Sequence, residues 1–271
     1  MEWIATILYA FVAALGQLLP VSMSAHEYFL GLLTHFDSNQ PLLQMCIHLG
    51  IFCALFLFYR QRVGHIYREY KNRTSRRQSD TVALLDGKVI LSMVLPAAVG
   101  LLLTGWIQQR FGSLPLMVLF LVISGTVLYL PHFVASGNRD SNHLSRLEAL
   151  LFGLSAAFSA FPGLSRVGGV LSTGALCGCS RTYLLDMAFL MLLPLLLLQT
   201  VLHLFSFLAA GVAMLTWGCV LLSLLAGIAA FAGASLAISA MRFLSVNRGY
   251  AAFAYYNWGL AIFGFILYLV I

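Results

Sequence analysis

Charge is what this sequence has least of. Asp and Glu number nine and Lys and Arg fifteen, together 9% of 271 residues, where a soluble domain carries about 25%. Hydrophobic types make up 61% and the mean hydropathy is +0.93. This excludes a water-soluble domain and points to an integral membrane protein. A cysteine pattern for metal or disulfides is also missing. Cys46, Cys53, Cys177, Cys179 and Cys219 all lie in apolar segments; Cys177 and Cys179 are too close for an ordinary bridge, and no second pair completes a zinc site. We expect no disulfide and no metal from them. The opening stretch "MEWIATILYAFVAALGQ" lacks a basic n-region, so it does not read as a cleaved signal peptide. The net charge of +6 comes without any base-reading module, which argues against a nucleic acid partner.

What is present is a series of long apolar runs. A span needs roughly 20 apolar residues, and six segments qualify, at about 40–60, 84–105, 115–134, 183–207, 211–243 and 251–271. Two further stretches, 2–34 and 147–180, are too long for one helix and too short for two full spans. Each is broken near its middle by a Pro-containing polar segment, "LPVSMSAH" and "FPGLSRVGG". They read as re-entrant helical hairpins, tolerated at membrane depth only where protein or a water-filled cavity surrounds the broken backbone. The fold class expected is therefore all-α, one membrane domain over 1–271 with an internal duplication. Each half is a re-entrant hairpin followed by three transmembrane helices, with repeat 1 at about 1–134 and repeat 2 at about 147–271. Pro20 and Pro162 stand 142 positions apart, about half the chain.

Arg60, Arg62, Arg68, Lys71, Arg73, Arg76 and Arg77 crowd one hydrophilic segment, 61–83. Such a cluster beside a span marks a cytoplasmic loop and can touch anionic headgroups. With 61–83 inside, Arg139, Arg146, Arg181, Arg242 and Arg248 also fall inside, and only Arg110 outside. Three spans per half then invert the second half relative to the first. In folds of that kind the substrate site lies where the broken helices meet.

The two hairpin breaks supply the polar groups. The first offers Gln17, Ser22, Ser24 and His26; the second offers Ser159, Ser165 and Arg166. A guanidinium in hydrocarbon costs at least ~2.5–3.5 kcal/mol on insertion scales, so Arg166 should face a cavity or an anion. Its forked donors suit phosphate oxygens, and half-helix N-termini and hydroxyls would add donors. A phosphate ligand able to reach the membrane interior is a phospholipid or a polyprenyl phosphate. The alternative is that Arg166 pairs with backbone carbonyls or with Asp186 and pins the hairpin. Among the other histidines, His35, His48, His65, His132, His143 and His203 read as interfacial, loop or packing residues.

"LPVSMSAH", followed by "PGLSRVGG" and "GCSR", resembles the undecaprenyl pyrophosphate phosphatase family of the BacA type, as do "IHLGIFCALFLFYR" and "AFAYYNWGLAIFGFILYLVI". The resemblance covers nearly the whole chain. It implies two inverted repeats with re-entrant hairpins, a multi-pass protein of the bacterial inner membrane, and release of the terminal phosphate of undecaprenyl pyrophosphate in lipid-carrier recycling. A homodimer is left open, since small residues at 227–240 can pack helices within one chain or between two.

The departures from the family pattern carry chemistry. The family's first motif, E-G-x-T-E-F-L-P-x-S-S-T-G-H, stands here as "AALGQLLPVSMSAH", so Ala13 and Gln17 replace its two glutamates and Met23 its middle serine. In the second motif, P-G-x-S-R-S-G, Pro162, Gly163, Ser165, Arg166 and Gly168 match and Val167 does not. The family's Tyr-Arg near the C-terminus is Tyr256-Asn257. Carboxylates at i and i+4 share one helix face and can hold a divalent cation or act as a base; Ala13 and Gln17 do neither well. Glu27 is the nearest other acid, and following His26 directly it is expected on a different face. The leading expectation is thus a carrier that binds and translocates undecaprenyl phosphate or a related polyprenyl phosphate with weak or no hydrolysis. Arg166 would hold the phosphate, with Ser165, Ser22, Ser24, His26 and Gln17 around it. A second reading is a true phosphatase with His26 as nucleophile and a divalent cation, magnesium or calcium, held by phosphate oxygens and Gln17. A third is a partner-binding membrane protein that kept only the fold.

Overall fold

A computed structural model of the chain describes residues 2–34, 40–74, 81–134, 137–210, 216–247 and 249–270. Ten α-helices follow one another among them: α1 (Glu2–Leu18), α2 (Met23–Thr34), α3 (Pro41–Thr74), α4 (Thr81–Phe111), α5 (Leu114–Tyr129), α6 (Arg146–Ala157), α7 (Arg166–Leu176), α8 (Arg181–Ala210), α9 (Trp217–Asn247) and α10 (Ala251–Val270). No strand occurs among the described residues; one isolated bridge joins Arg139 to Cys179. Six helices, α3, α4, α5, α8, α9 and α10, are long and apolar enough to cross a membrane. The protein is an all-α, multi-pass integral membrane protein.

The two stretches broken by proline are each a pair of short helices. Residues 19–22 interrupt α1 and α2, and a 3-10 turn at Phe158–Ala160 followed by 161–165 interrupts α6 and α7. Ser145 starts α6 with a reciprocal cap, its hydroxyl accepting from the Glu148 amide while the Glu148 carboxylate accepts from the Ser145 amide, which satisfies two otherwise unpaired donors of the first turn. Arg139 clamps the same carboxylate and the Cys177 carbonyl. The guanidinium of Arg139 and the Ser145 amide hold the Glu148 carboxyl at about 2, below the usual carboxylate range.

The basic segment differs from its expected form. Helix α3 does not end near residue 60 but runs 34 residues to Thr74, about 51 Å at 1.5 Å per residue, well beyond a hydrocarbon core of about 30 Å. Residues 61–74 are thus a helical extension carrying Arg62, Arg68 and Lys71, because Arg, Lys, Glu and Tyr continue a helix once water takes over from lipid. Arg76, Arg77, Arg248 and His35 lie outside the described residues, as does the side chain of Arg73.

Packing pairs the halves. Helix α3 packs on α9 and α8 on α4; α1 packs on α9 and α6 on α4; α1 meets α2 and α6 meets α7; α3 also packs on α8, and α5 on α10. Exchanging α1–α5 with α6–α10 reproduces each of these pairings. The first half of α8 is deeply enclosed, with Leu184, Met187, Ala188, Phe189, Met191 and Leu192 in the core beside Ile47, Ile51 and Leu55 of α3. In lipid such contacts depend on close approach rather than on expulsion of water. A Cβ on Gly50 of α3 would stand 2.2 Å from the carbonyl oxygen of Gly227 of α9, so the two helices touch backbone to backbone.

One end of the bundle is closed by charge. Arg62 of α3 pairs with Asp186 of α8 and, at 2.9 Å, with Asp86 of α4. The Tyr59 hydroxyl donates to Asp186 at 2.7 Å, and Arg242 of α9 reaches the same carboxylate at 3.4 Å with its guanidinium 4.9 Å from the Phe58 ring centroid. These residues lie at the C-terminal parts of α3 and α9 and the N-terminal parts of α4 and α8, where the basic residues also gather.

Candidate active site

At the opposite end, the N-terminal turns of α3 and the C-terminal turns of α4 and α8 surround a polar cavity of about 260 Å³. Hairpin α1–α2 contributes Gly16, Gln17, Val21, Met23, Ser24 and Glu27 to its wall; the second hairpin contributes Ser159, Leu164 and Arg166. Helix α3 adds Gln44 and His48, α4 adds Leu101, Thr104 and Gln108, and α8 adds Gln199 and His203. Both half-helices begin at this wall, α2 at Met23 and α7 at Arg166, so the positive ends of two helix dipoles bear on it.

The hairpin tips are tied to each other. The Ser24 hydroxyl accepts from the backbone N–H of Gly163 at 3.2 Å. Gly163 holds φ +104°, a left-handed conformation open to glycine and strained for other residues. The 142-position offset of Pro20 and Pro162 also relates Gln17 to Ser159 and Ser24 to Arg166, and all four residues line the cavity.

Arg166 donates through Nε to Ser159 Oγ at 3.0 Å, while its Nη1 is buried with no hydrogen-bond partner among the described residues. Asp186 is not its counterion, being engaged by Tyr59, Arg62 and Arg242; the pinning alternative for Arg166 therefore fails on its acidic partner. An unpaired guanidinium N–H at a polar cavity wall is a strong donor for an anion. Glu27 is the one carboxylate lining the cavity among the described residues. The Tyr9 hydroxyl donates to its Oε1 and in turn accepts from Gln44 Nε2 at 2.8 Å. Gln17 donates to Gln199 at 3.4 Å, bridging α1 and α8.

The site residues expected from sequence divide into two groups. Gln17, Ser24 and Arg166 meet at the cavity. Ser22, Ser165 and His26 do not line it. Ser22 is buried, its Oγ 3.1 Å from that of Ser24 and accepting from the Ala25 amide at 3.3 Å. Ser165 caps α7, accepting from the Gly168 amide at 3.1 Å. His26 lies on another face of α2: its Nδ1 is 2.6 Å from the Ser22 carbonyl oxygen and its Nε2 2.6 Å from the Tyr256 hydroxyl, with the two rings parallel within 4°. It faces an apolar cavity of about 430 Å³ with Leu15, Leu19, Phe253 and Tyr256. Asn257, beside Tyr256, donates to the Pro20 carbonyl at 3.2 Å and ties α10 to the break in the first hairpin.

Several wall residues escaped the sequence reading. Glu27 lies on a different face of α2 from His26, as expected, and it is that face which lines the cavity; His48 and His203, read among the interfacial, loop or packing histidines, line it too. A usable signal was there. Ser24 and Glu27 are spaced i, i+3, and Gln44 and His48, Thr104 and Gln108, and Gln199 and His203 are spaced i, i+4, each pair on one helical face of an otherwise apolar segment.

The profile of the family described as bacitracin resistance protein BacA matches residues 6–263. An undecaprenyl-diphosphatase 2 from Stutzerimonas stutzeri is 31% identical over 204 residues, 74% of this chain and 75% of the relative. An undecaprenyl-diphosphatase from Methanobrevibacter smithii is 28% identical over 275 residues, 98% of this chain and 97% of the relative, and one from Bifidobacterium longum is 27% identical over 278 residues, 97% and 92% respectively.

Proposed function

Because the chain belongs to the BacA family of bacitracin resistance proteins, we propose that it removes the terminal phosphate of a polyprenyl diphosphate, undecaprenyl diphosphate by analogy with its relatives. The observation that carries this reading is the polar cavity in which Arg166 offers an unpaired guanidinium N–H and Glu27 a carboxylate. The carrier expectation rested on a site stripped of acids, and Glu27 restores one. Hydrolysis is the better reading for that reason.

In this proposal the diphosphate enters with its negative charge toward Arg166 and the N-termini of α2 and α7, where preorganised donors stabilise charge developing on the transferring phosphoryl group. Arg166 Nη1 binds a non-bridging oxygen. The Ser159 hydroxyl, which accepts from Arg166 Nε, still has its own proton to donate. The bond between the terminal phosphorus and the bridging oxygen breaks, giving inorganic phosphate and polyprenyl phosphate. The residues present fit a divalent cation, magnesium or calcium, only as one carried in on the diphosphate: among the described residues no three metal-ligating side chains cluster, and magnesium is commonly held by one or two carboxylates plus substrate phosphates. Glu27 would hold it, and the ion would neutralise phosphate charge.

We further read the two halves as inverted repeats in a bacterial inner membrane. Support comes from the pairings that survive exchange of the halves and from the offset that relates Gln17 to Ser159 and Ser24 to Arg166. With the basic end inside, the cavity lies toward the outer side.

The test is phosphate release from undecaprenyl diphosphate by purified protein in nanodiscs. We expect turnover, with Arg166→Lys lowering kcat/KM on the order of 10- to 100-fold through loss of a charge-assisted hydrogen bond. Unmodified protein that releases no phosphate, yet moves polyprenyl phosphate across vesicles faster than empty controls, would restore the carrier reading.

A further inference from the structure

A hydrolytic site needs a proton acceptor, and among the described residues the titratable side chains at the cavity are Glu27, His48, Arg166 and His203. Glu27 accepts from the Tyr9 hydroxyl. Arg166 stays charged in proteins and accepts nothing. His26 stands in the other cavity, its Nε2 against the Tyr256 hydroxyl.

His48 differs from all of these. It is only 2% exposed, and its Nδ1 lies 2.7 Å from the backbone carbonyl oxygen of Gln44. A carbonyl only accepts, so Nδ1 carries the proton and the neutral ring presents its lone pair on Nε2. That Nε2 is buried and has no hydrogen-bond partner among the described residues. The ring stacks on His203 with centroids 5.1 Å apart and planes 19° from parallel, which fixes its orientation between two helices. Leaving a buried nitrogen unpaired costs about 1–3 kcal/mol, a cost that a group bound in the cavity would offset.

Resting on the hydrolytic reading above, we propose that His48 Nε2 is the base that activates the attacking water. The water oxygen forms a bond to the terminal phosphorus as its proton passes to Nε2. The bond from phosphorus to the bridging oxygen breaks, and its electron pair leaves with the polyprenyl phosphate. His203 acts as a positioning residue through its stack on His48.

The experiment compares steady-state phosphate release from undecaprenyl diphosphate by the unmodified protein, His48→Asn, His48→Gln and His48→Ala in nanodiscs. Asn preserves a donor near the Nδ1 position and Gln a polar group near the Nε2 position; neither accepts a proton at neutral pH. Both should lower kcat on the order of 100- to 10,000-fold, as loss of a general base does, with KM within about threefold. Imidazole added to His48→Ala should restore the rate at least about tenfold, which a defect in folding would not allow. If kcat stays within about threefold in Asn and Gln, or the loss falls on KM alone, or imidazole restores nothing, His48 is not the base. An unmodified protein without turnover would remove both this proposal and the hydrolytic reading; active protein with active His48 variants removes only this one.

Discussion

The hydroxyl of Ser24 and the amide of Gly163, 139 positions apart in the chain, form one hydrogen bond of 3.2 Å. It joins the first turn of α2 to the loop before α7, and Arg166 begins the helix that follows. The bond holds the two hairpin tips in register across the cavity, and the conformation of Gly163 makes it reachable. A Cβ at Gly163 would lie 2.6 Å from the Met117 carbonyl oxygen, at φ +104°. Gly163→Ala is expected to destabilise the protein by about 2–4 kcal/mol, since strained backbone and steric overlap add. Ser24→Ala should cost only about 1 kcal/mol. Thermal-unfolding midpoints in detergent compare the two; equal midpoints would contradict this account.

Glu27→Gln keeps an acceptor for the Tyr9 hydroxyl and removes the charge. Phosphate release should fall on the order of 100-fold with the unfolding midpoint little changed. A variant that turns over at the parent rate would show that the carboxylate takes no part.

The charge network at the other end predicts a stability effect without a catalytic one. Arg62→Met removes the cation that Asp86 and Asp186 share, leaving Asp186 with Arg242 and Tyr59. Breaking a buried pair costs about 3–5 kcal/mol; with the Arg62 side chain 32% exposed, about 2–4 kcal/mol is expected here. Adding Asp86→Asn to Arg62→Met should recover part of the loss. An unaltered midpoint in the single variant would show the network to be dispensable.

The clamp on Glu148 gives a pH dependence with a definite sign. Its carboxyl titrates at about 2 in the folded protein, below the ordinary glutamate value of about 4.3. A depressed folded value adds stability above the ordinary value, and that stability is lost as pH falls through the interval toward the folded one. The midpoint difference between parent and Glu148→Gln should therefore be constant from about pH 7 to 5 and shrink between about 4.5 and 2. A difference that does not change over that interval would deny the clamp its charge.

Much of the fold was legible because lipid imposes a length on apolar runs, so all six long helices were visible as hydrophobic segments, and Pro20 and Pro162 punctuated the two remaining stretches. The extension of α3 to Thr74 was not, since polar residues leaving a bilayer look alike whether they coil or stay helical. At the site, Arg166 was legible from the cost of its charge. Glu27 does lie on a different face of α2 from His26, as adjacency in a helix implies; that the cavity takes the Glu27 and Ser24 side is set by hairpins and spans enclosing it together. His26 was drawn into the expected site by its motif; the α10 side chain that engages it, Tyr256, is 230 positions away, a distance no local pattern reveals.

The contact between Gly50 and Gly227 has a consequence for how this protein can vary. Hydrocarbon solvates a leucine as readily as a neighbouring helix does, so two spans gain little by presenting bulk to each other. Here adhesion comes from bare main chain, and a single methyl group at either place acts as a wedge. Drift in the sequence should therefore run freely over the oily exterior and halt at these hydrogens, so that two of the smallest side chains in the bundle are among those least open to replacement.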